Sequence, residues 1–98
     1  MTPLRKAKRR TEAVLERKCV AKARGAGILV SKLTDPTGAP DRCFWLPGGR
    51  PLLVEFKDPA GKATELQQKY QEMFRRAGYD VRVVRTQEEF EEAMGHGD

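Results

Sequence analysis

The stretch Asp41-Arg-Cys-Phe-Trp-Leu-Pro-Gly-Gly-Arg-Pro-Leu-Leu-Val-Glu-Phe-Lys57 decides the fold. Residues 41–46 read as a short strand, Pro47-Gly48-Gly49 as a turn, and residues 51–57 as a second strand rich in aliphatic side chains. The connection is short, so the two strands are expected to pair as an antiparallel hairpin. Leu52, Leu53 and Val54 imply a buried strand, yet it ends in Glu55-Phe56-Lys57. Side chains alternate along a strand, so Glu55 and Lys57 share a face while Phe56 points away, toward a core.

Working outward, residues 11–24 read as a helix capped by Thr11, with Glu12 in its first turn and Gly25 and Gly27 ending it. Residues 27–33 read as the first strand and residues 34–40 as a turn-rich loop. After Asp58-Pro-Ala-Gly61, Thr64-x-x-Gln67 has the capping-box form and opens a helix running to Ala77. Its Leu66, Tyr70, Met73, Phe74 and Ala77 recur at spacings of three and four, which predicts one apolar face. Residues 79–85 read as a fourth strand, and Thr86 caps a last helix carrying Phe90, Ala93 and Met94. The order α-β-β-β-α-β-α predicts a mixed α/β domain, the long helix crossing over between strands three and four. A basic leader over residues 1–10, a domain over 11–94 and a flexible tail over 95–98 fill the 98 residues.

Composition narrows the function. Hydrophobic content is 39% and charged content 34%, which argues against a membrane protein. No apolar segment follows the N-terminal charges, so secretion is not expected, and Cys19 and Cys43 are expected as reduced thiols. The lone His96 and the cysteine spacing argue against a zinc site. Residues 1–32 hold ten Lys/Arg against Glu12 and Glu16, a net of +8; the remainder carries nine against twelve acids, a net of −3. A basic third of this kind, with Arg9, Arg10 and Arg17, suits a phosphate backbone, although a solvated helix face would look the same.

Across the predicted hairpin, Asp41 approaches Glu55. Two carboxylates this close repel unless a cation offsets them, and Mg²⁺ or Mn²⁺ favours such oxygen ligands. Lys57 would then stand beside an attacking water or a phosphate. Each residue has a plainer alternative: Asp41 as a turn residue after Pro40, Glu55 and Lys57 as an ion pair at a strand end, Glu16 as a surface salt-bridge partner, Gln67 as a cap only.

Taken together, Gly38-Ala-Pro-Asp41-Arg42, Pro47-Gly-Gly-Arg50, Leu53-Val-Glu55-Phe-Lys57, Gly61-Lys-x-Thr-x-x-Gln67 and Gly78-Tyr-x-Val81-x-Val-Val84 resemble the virus-type replication-repair nuclease (VRR-NUC) domain of the PD-(D/E)xK superfamily. The resemblance covers residues 11–94 and implies a restriction-endonuclease-like core. It implies that Asp41, Glu55 and the Phe56 backbone carbonyl bind metal and that Lys57 is the catalytic lysine. It further implies that Glu16 serves the metal site from the first helix, with Glu12 on the same helix face as the alternative. Gln67 would help arrange the lysine or water, and Lys32 would contact phosphate or brace the acids. Asp58 would be peripheral. Larger family members carry the domain in repair nucleases. Small stand-alone members, typical of phages, resemble Holliday junction resolvases and form homodimers. The expected protein is therefore a homodimeric, Mg²⁺- or Mn²⁺-dependent endonuclease for branched DNA, in the cytoplasm of a bacterium or phage-infected host. A non-catalytic nucleic-acid-binding module of the same fold, or a small interaction protein whose charges are only surface charges, are the rival expectations.

Overall fold

The structure, a computed structural model, describes residues 3–95, with side chains from residue 11 onward. The elements are α1 (Pro3–Gly25), β1 (Leu29–Lys32), β2 (Arg42–Leu46), β3 (Arg50–Phe56), α2 (Glu65–Arg76), β4 (Asp80–Val84) and α3 (Gln87–Gly95). They form one four-stranded sheet in the order β1-β2-β3-β4. The first three strands are antiparallel, and β4 joins β3 in parallel after the α2 crossover. The expected mixed α/β architecture, order α-β-β-β-α-β-α, is thus the observed one. The expected leader, residues 1–10, is helical from Pro3, and the expected tail, residues 95–98, includes the last residue of α3; residues 96–98 lie outside the described set.

The hairpin closes at Leu46↔Arg50. Gly48 and Gly49 take φ of 81° and 69° there, a left-handed backbone that a side chain would strain. Pleat alternation then divides the strand residues between two layers. Phe44, Leu46, Leu52, Val54, Phe56 and Val84 join Leu15, Cys19, Val20 and Ala23 of α1 and Phe90 and Ala93 of α3 in the main core. At its centre Phe44, Phe56 and Phe90 stack with ring centroids 4.9–6.4 Å apart. Cys43, Leu53 and Val81 face the other way and pack with Leu33 and Phe74. Cys19 and Cys43 are therefore buried in different layers, and both are free thiols. Burial is the first cause that pushes the Cys19 thiol up to about 11.

Two helix readings need correction. Helix α1 starts at Pro3 rather than at Thr11. Proline is pre-organised for a first helical turn, and the Leu-Arg-Lys-Ala-Lys-Arg-Arg that follows contains only good helix formers, so nothing forces a start at Thr11. Helix α2 does not bury its aliphatic stripe: Leu66 is 42% and Met73 52% exposed, and Gln71 is its buried residue. The helix is rotated so that Gln67, Gln71 and Phe74, spaced by four and three, face the sheet. Leu66 and Tyr70 instead cover the 34–40 loop at Gly38, where an added Cβ would lie 2.7 Å from Leu66 Cγ.

Candidate active site

The Arg42↔Val54 register continues one step past β2 to set Asp41 opposite Glu55. Both belong to the α2 layer of the sheet by alternation. Asp41 is anchored twice. Its carbonyl accepts from Leu33 N–H at 3.0 Å, and its carboxylate Oδ2 accepts from Phe56 N–H at 2.8 Å. Lys57 N–H turns toward β4, where it donates to Val84. Neighbouring backbone groups alternate, so the Phe56 carbonyl lies on the β2 side with its N–H, the side of Asp41.

Glu55 is 2% exposed. Its Oε2 accepts from Gln67 Nε2 at 3.2 Å and lies 3.7 Å from Lys57 Nζ. Its Oε1 is buried with no hydrogen-bond partner among the described residues. Burial first, and the Asp41 carboxylate second, push the Glu55 carboxyl up to about 8, against the pull of Lys57. Burial also raises Asp41; the Phe56 N–H bond and Lys57 oppose this, while Glu16 and Glu12 add to it. An ionised carboxylate pair is thus unfavourable here without added positive charge, and one lone-pair-bearing oxygen is already desolvated and free.

Gln67 carries both of its readings at once. Thr64 Oγ accepts from Gln67 N–H, and Gln67 Oε1 accepts from Thr64 N–H, a complete capping box. The remaining amide donor goes to Glu55. The cap therefore fixes the rotamer that delivers a hydrogen bond into the site.

Glu16, whose charge acts on Asp41, is held by Arg42. Arg42 Nε donates to Glu16 Oε2 at 2.6 Å, both side chains being largely shielded from solvent. Arg42 belongs to the α1 layer, one residue on from Asp41, and so meets Glu16 before the helix acid reaches the other layer. Glu12, the alternative, is one helical turn earlier and its charge raises both Asp41 and Glu55. Among the described residues no three His, Cys, Asp or Glu side chains converge, so the Asp41–Glu55 pair is the acidic core of the site. Lys32 is exposed on β1 opposite Arg42, and Arg17 is exposed on α1. Arg9 and Arg10 belong to α1, but their side chains lie outside the described set.

Two residues escaped the sequence reading. Arg42 was legible only as part of the motif, although its place directly after Asp41 assigns it to the opposite layer and hence to α1. Asp58, expected outside the site, is 5% exposed, and its Oδ1 accepts from Ala60 N–H at 2.8 Å, shaping the loop that follows Lys57. Arg85 braces the same loop through Gly61 O at 2.8 Å.

The comparisons agree with this geometry. The family model described as the VRR-NUC domain matches residues 9–88. A solved structure titled "VRR_NUC domain" superposes with a TM-score of 0.78 at 30% identity, over 90% of this chain and 98% of that one. No curated protein matches.

Proposed function

The chain belongs to the VRR-NUC domain family and has its nuclease-type fold; on that premise we propose that it is a Mg²⁺- or Mn²⁺-dependent DNA endonuclease selective for branched DNA. The observation that carries this reading is the buried, unpartnered Oε1 of Glu55, on the residue opposite Asp41, in a site where burial raises the pKa of both acids and Asp41 raises that of Glu55 further. That donor set fits a hard divalent cation, which favours carboxylate and carbonyl oxygens. Asp41, Glu55 and the Phe56 carbonyl would hold it. When bound, the cation supplies Lewis-acid activation and neutralises charge on the phosphate.

The chain's own residues do the rest. Gln67 occupies Glu55 Oε2 and leaves Oε1 for the cation. The Phe56 N–H fixes one oxygen of Asp41, so the carboxylate loses little freedom on binding. Lys57, on the same face as Glu55, orients the attacking water or stabilises the charge that accumulates on the phosphate oxygens. Glu16 acts on the site through its field on Asp41 and by holding Arg42. Lys32, Arg17 and the Arg9–Arg10 pair supply positive charge toward the phosphate backbone. A homodimer is part of the proposal, since it would present two sites to two strands. Leu29, Trp45 and Tyr79, exposed by 69%, 46% and 46%, offer apolar surface for it.

The test is incubation of the purified chain with four-way junction, flap and linear duplex DNA, in Mg²⁺, Mn²⁺ or EDTA. Metal-dependent cutting that favours the junction is expected. Salt-sensitive binding with no cutting in any metal would replace the enzyme with a binding module of the same fold.

A further inference from the structure

A groove of about 370 Å³ runs along α1 and is closed at one side by Arg42 of β2. Its charged lining is Glu16, Arg17 and Arg24 of α1 with Arg42 of β2, and the small side chains of Ala13 and Ala21 keep it open. Three guanidinium groups face one carboxylate, a formal excess of two positive charges. The carboxylate is already taken by Arg42 at 2.6 Å. Arg24 spends one donor on the Val30 carbonyl at a long 3.4 Å. Arg17 makes no hydrogen bond or ion pair among the described residues, and both Arg17 and Arg24 are exposed. Each guanidinium carries five donors in a planar fork, so the groove has far more donors than acceptors and suits phosphate oxygens.

The groove lies on the α1 face of the sheet, and Arg42 at its head directly follows Asp41, whose side chain takes the α2 face. A DNA strand lying in the groove therefore reaches Asp41 around the N-terminal end of β2. Arg17 and Arg24 are seven residues apart, two turns along one helix face, which separates their backbones by ~10.5 Å. Phosphates on one strand of a B-form duplex advance ~3.4 Å along the axis per step, so this span is about three nucleotides.

We propose that this groove is a phosphate subsite: Arg17 and Arg24, with Arg42 at its head, hold backbone phosphates of the DNA strand that flank the scissile one. The subsite rests on the nuclease reading for its ligand, and it assigns the strand a path along α1. Arg42 orients Glu16 and a phosphate together, while Arg17 and Arg24 set how far the strand extends from Asp41 and Glu55.

The experiment measures binding of a fluorescently labelled four-way junction in EDTA, where cutting does not enter, over a range of salt concentrations. The Arg17→Gln/Arg24→Gln double variant leaves Arg42–Glu16 intact and changes only exposed side chains, so its melting temperature serves as the folding control. It should bind roughly ten- to hundredfold more weakly at physiological salt, and its log Kd against log salt slope should be shallower by about 1.8, near 0.9 per phosphate contact. Lys69→Gln/Arg76→Gln, which removes the same charge from α2, should bind far closer to wild type. Unchanged binding and slope in the groove variant, or an equal loss in the α2 variant, overturns the subsite. Separately, wild-type protein that never cuts DNA in Mg²⁺ or Mn²⁺, while the groove variant still loses binding, removes the nuclease reading and leaves the phosphate groove standing.

Discussion

Replacing Glu55 with glutamine should stabilise the metal-free protein, and increasingly so as pH rises. Glu55 is 2% exposed and its carboxyl is pushed up to about 8 from an ordinary 4.5, by burial and then by Asp41. Between those values the folded state binds a proton that the unfolded chain has released. Stability in EDTA therefore falls as pH rises from about 4.5 to about 8 and levels off above. At ~1.4 kcal/mol per pH unit the whole shift is worth at most roughly 5 kcal/mol. Relaxation and water penetration around the ionised group reduce this to on the order of 2 kcal/mol. Glu55→Gln removes that liability while retaining an acceptor for Gln67. In a domain of this size the gain corresponds to a melting temperature roughly 8–16 °C above wild type at pH 8.5, with little difference at pH 5. Differential scanning fluorimetry in EDTA across pH 5–9 reads it directly. A second arm adds Mg²⁺, which should raise the wild-type midpoint and leave the variant unmoved, because a ligand stabilises only the state that binds it. A melting difference that stays constant from pH 5 to pH 8.5 would refute the reasoning, since Glu55 would then not be held protonated by its surroundings.

The remaining predictions separate positioning from packing. Thr64→Ala and Gln67→Ala each break the capping box and should each cost about 1 kcal/mol in urea denaturation; only Gln67→Ala should also slow DNA cutting by tenfold or more, because only it releases Glu55. Lys57→Met should abolish cutting while far-UV circular dichroism stays that of wild type. Phe90→Ala removes a ring that is 1% exposed between Phe44 and Phe56 and should cost about 3–5 kcal/mol. That is a large share of the stability of a small domain, so near-UV circular dichroism at 37 °C should show lost tertiary packing.

Local signals carried most of the fold. The β2–β3 hairpin, the buried Leu52-Leu53-Val54 run and the Thr64 cap were readable because each is encoded within a few residues. The start of α1 was not, because its leading residues are helix formers throughout and Thr11 is one acceptable cap within a longer helical run. The face of α2 misled the periodicity reading for a different reason. Leu66 and Tyr70 pack on Gly38 in a loop, whereas the sheet-facing positions include Gln67 and Gln71, whose placement answers to Glu55 and to burial rather than to hydropathy. In the site, Asp41, Glu55 and Lys57 were legible because hairpin register and strand alternation bring them to one face. The Arg42–Glu16 pair joins residues 26 positions apart in different elements, so no local pattern announces it. The same holds for Asp58, whose burial depends on how β3 and α2 are joined.

The central claim is that Asp41 and Glu55 form a cation site used to cut DNA. Its most direct test is cleavage of a labelled four-way junction by wild type and Glu55→Gln, side by side in Mg²⁺, with both proteins shown to be folded by their melting curves. The account predicts cutting by wild type, none by the variant, and none by either in EDTA. Equal cutting by the two proteins would contradict it.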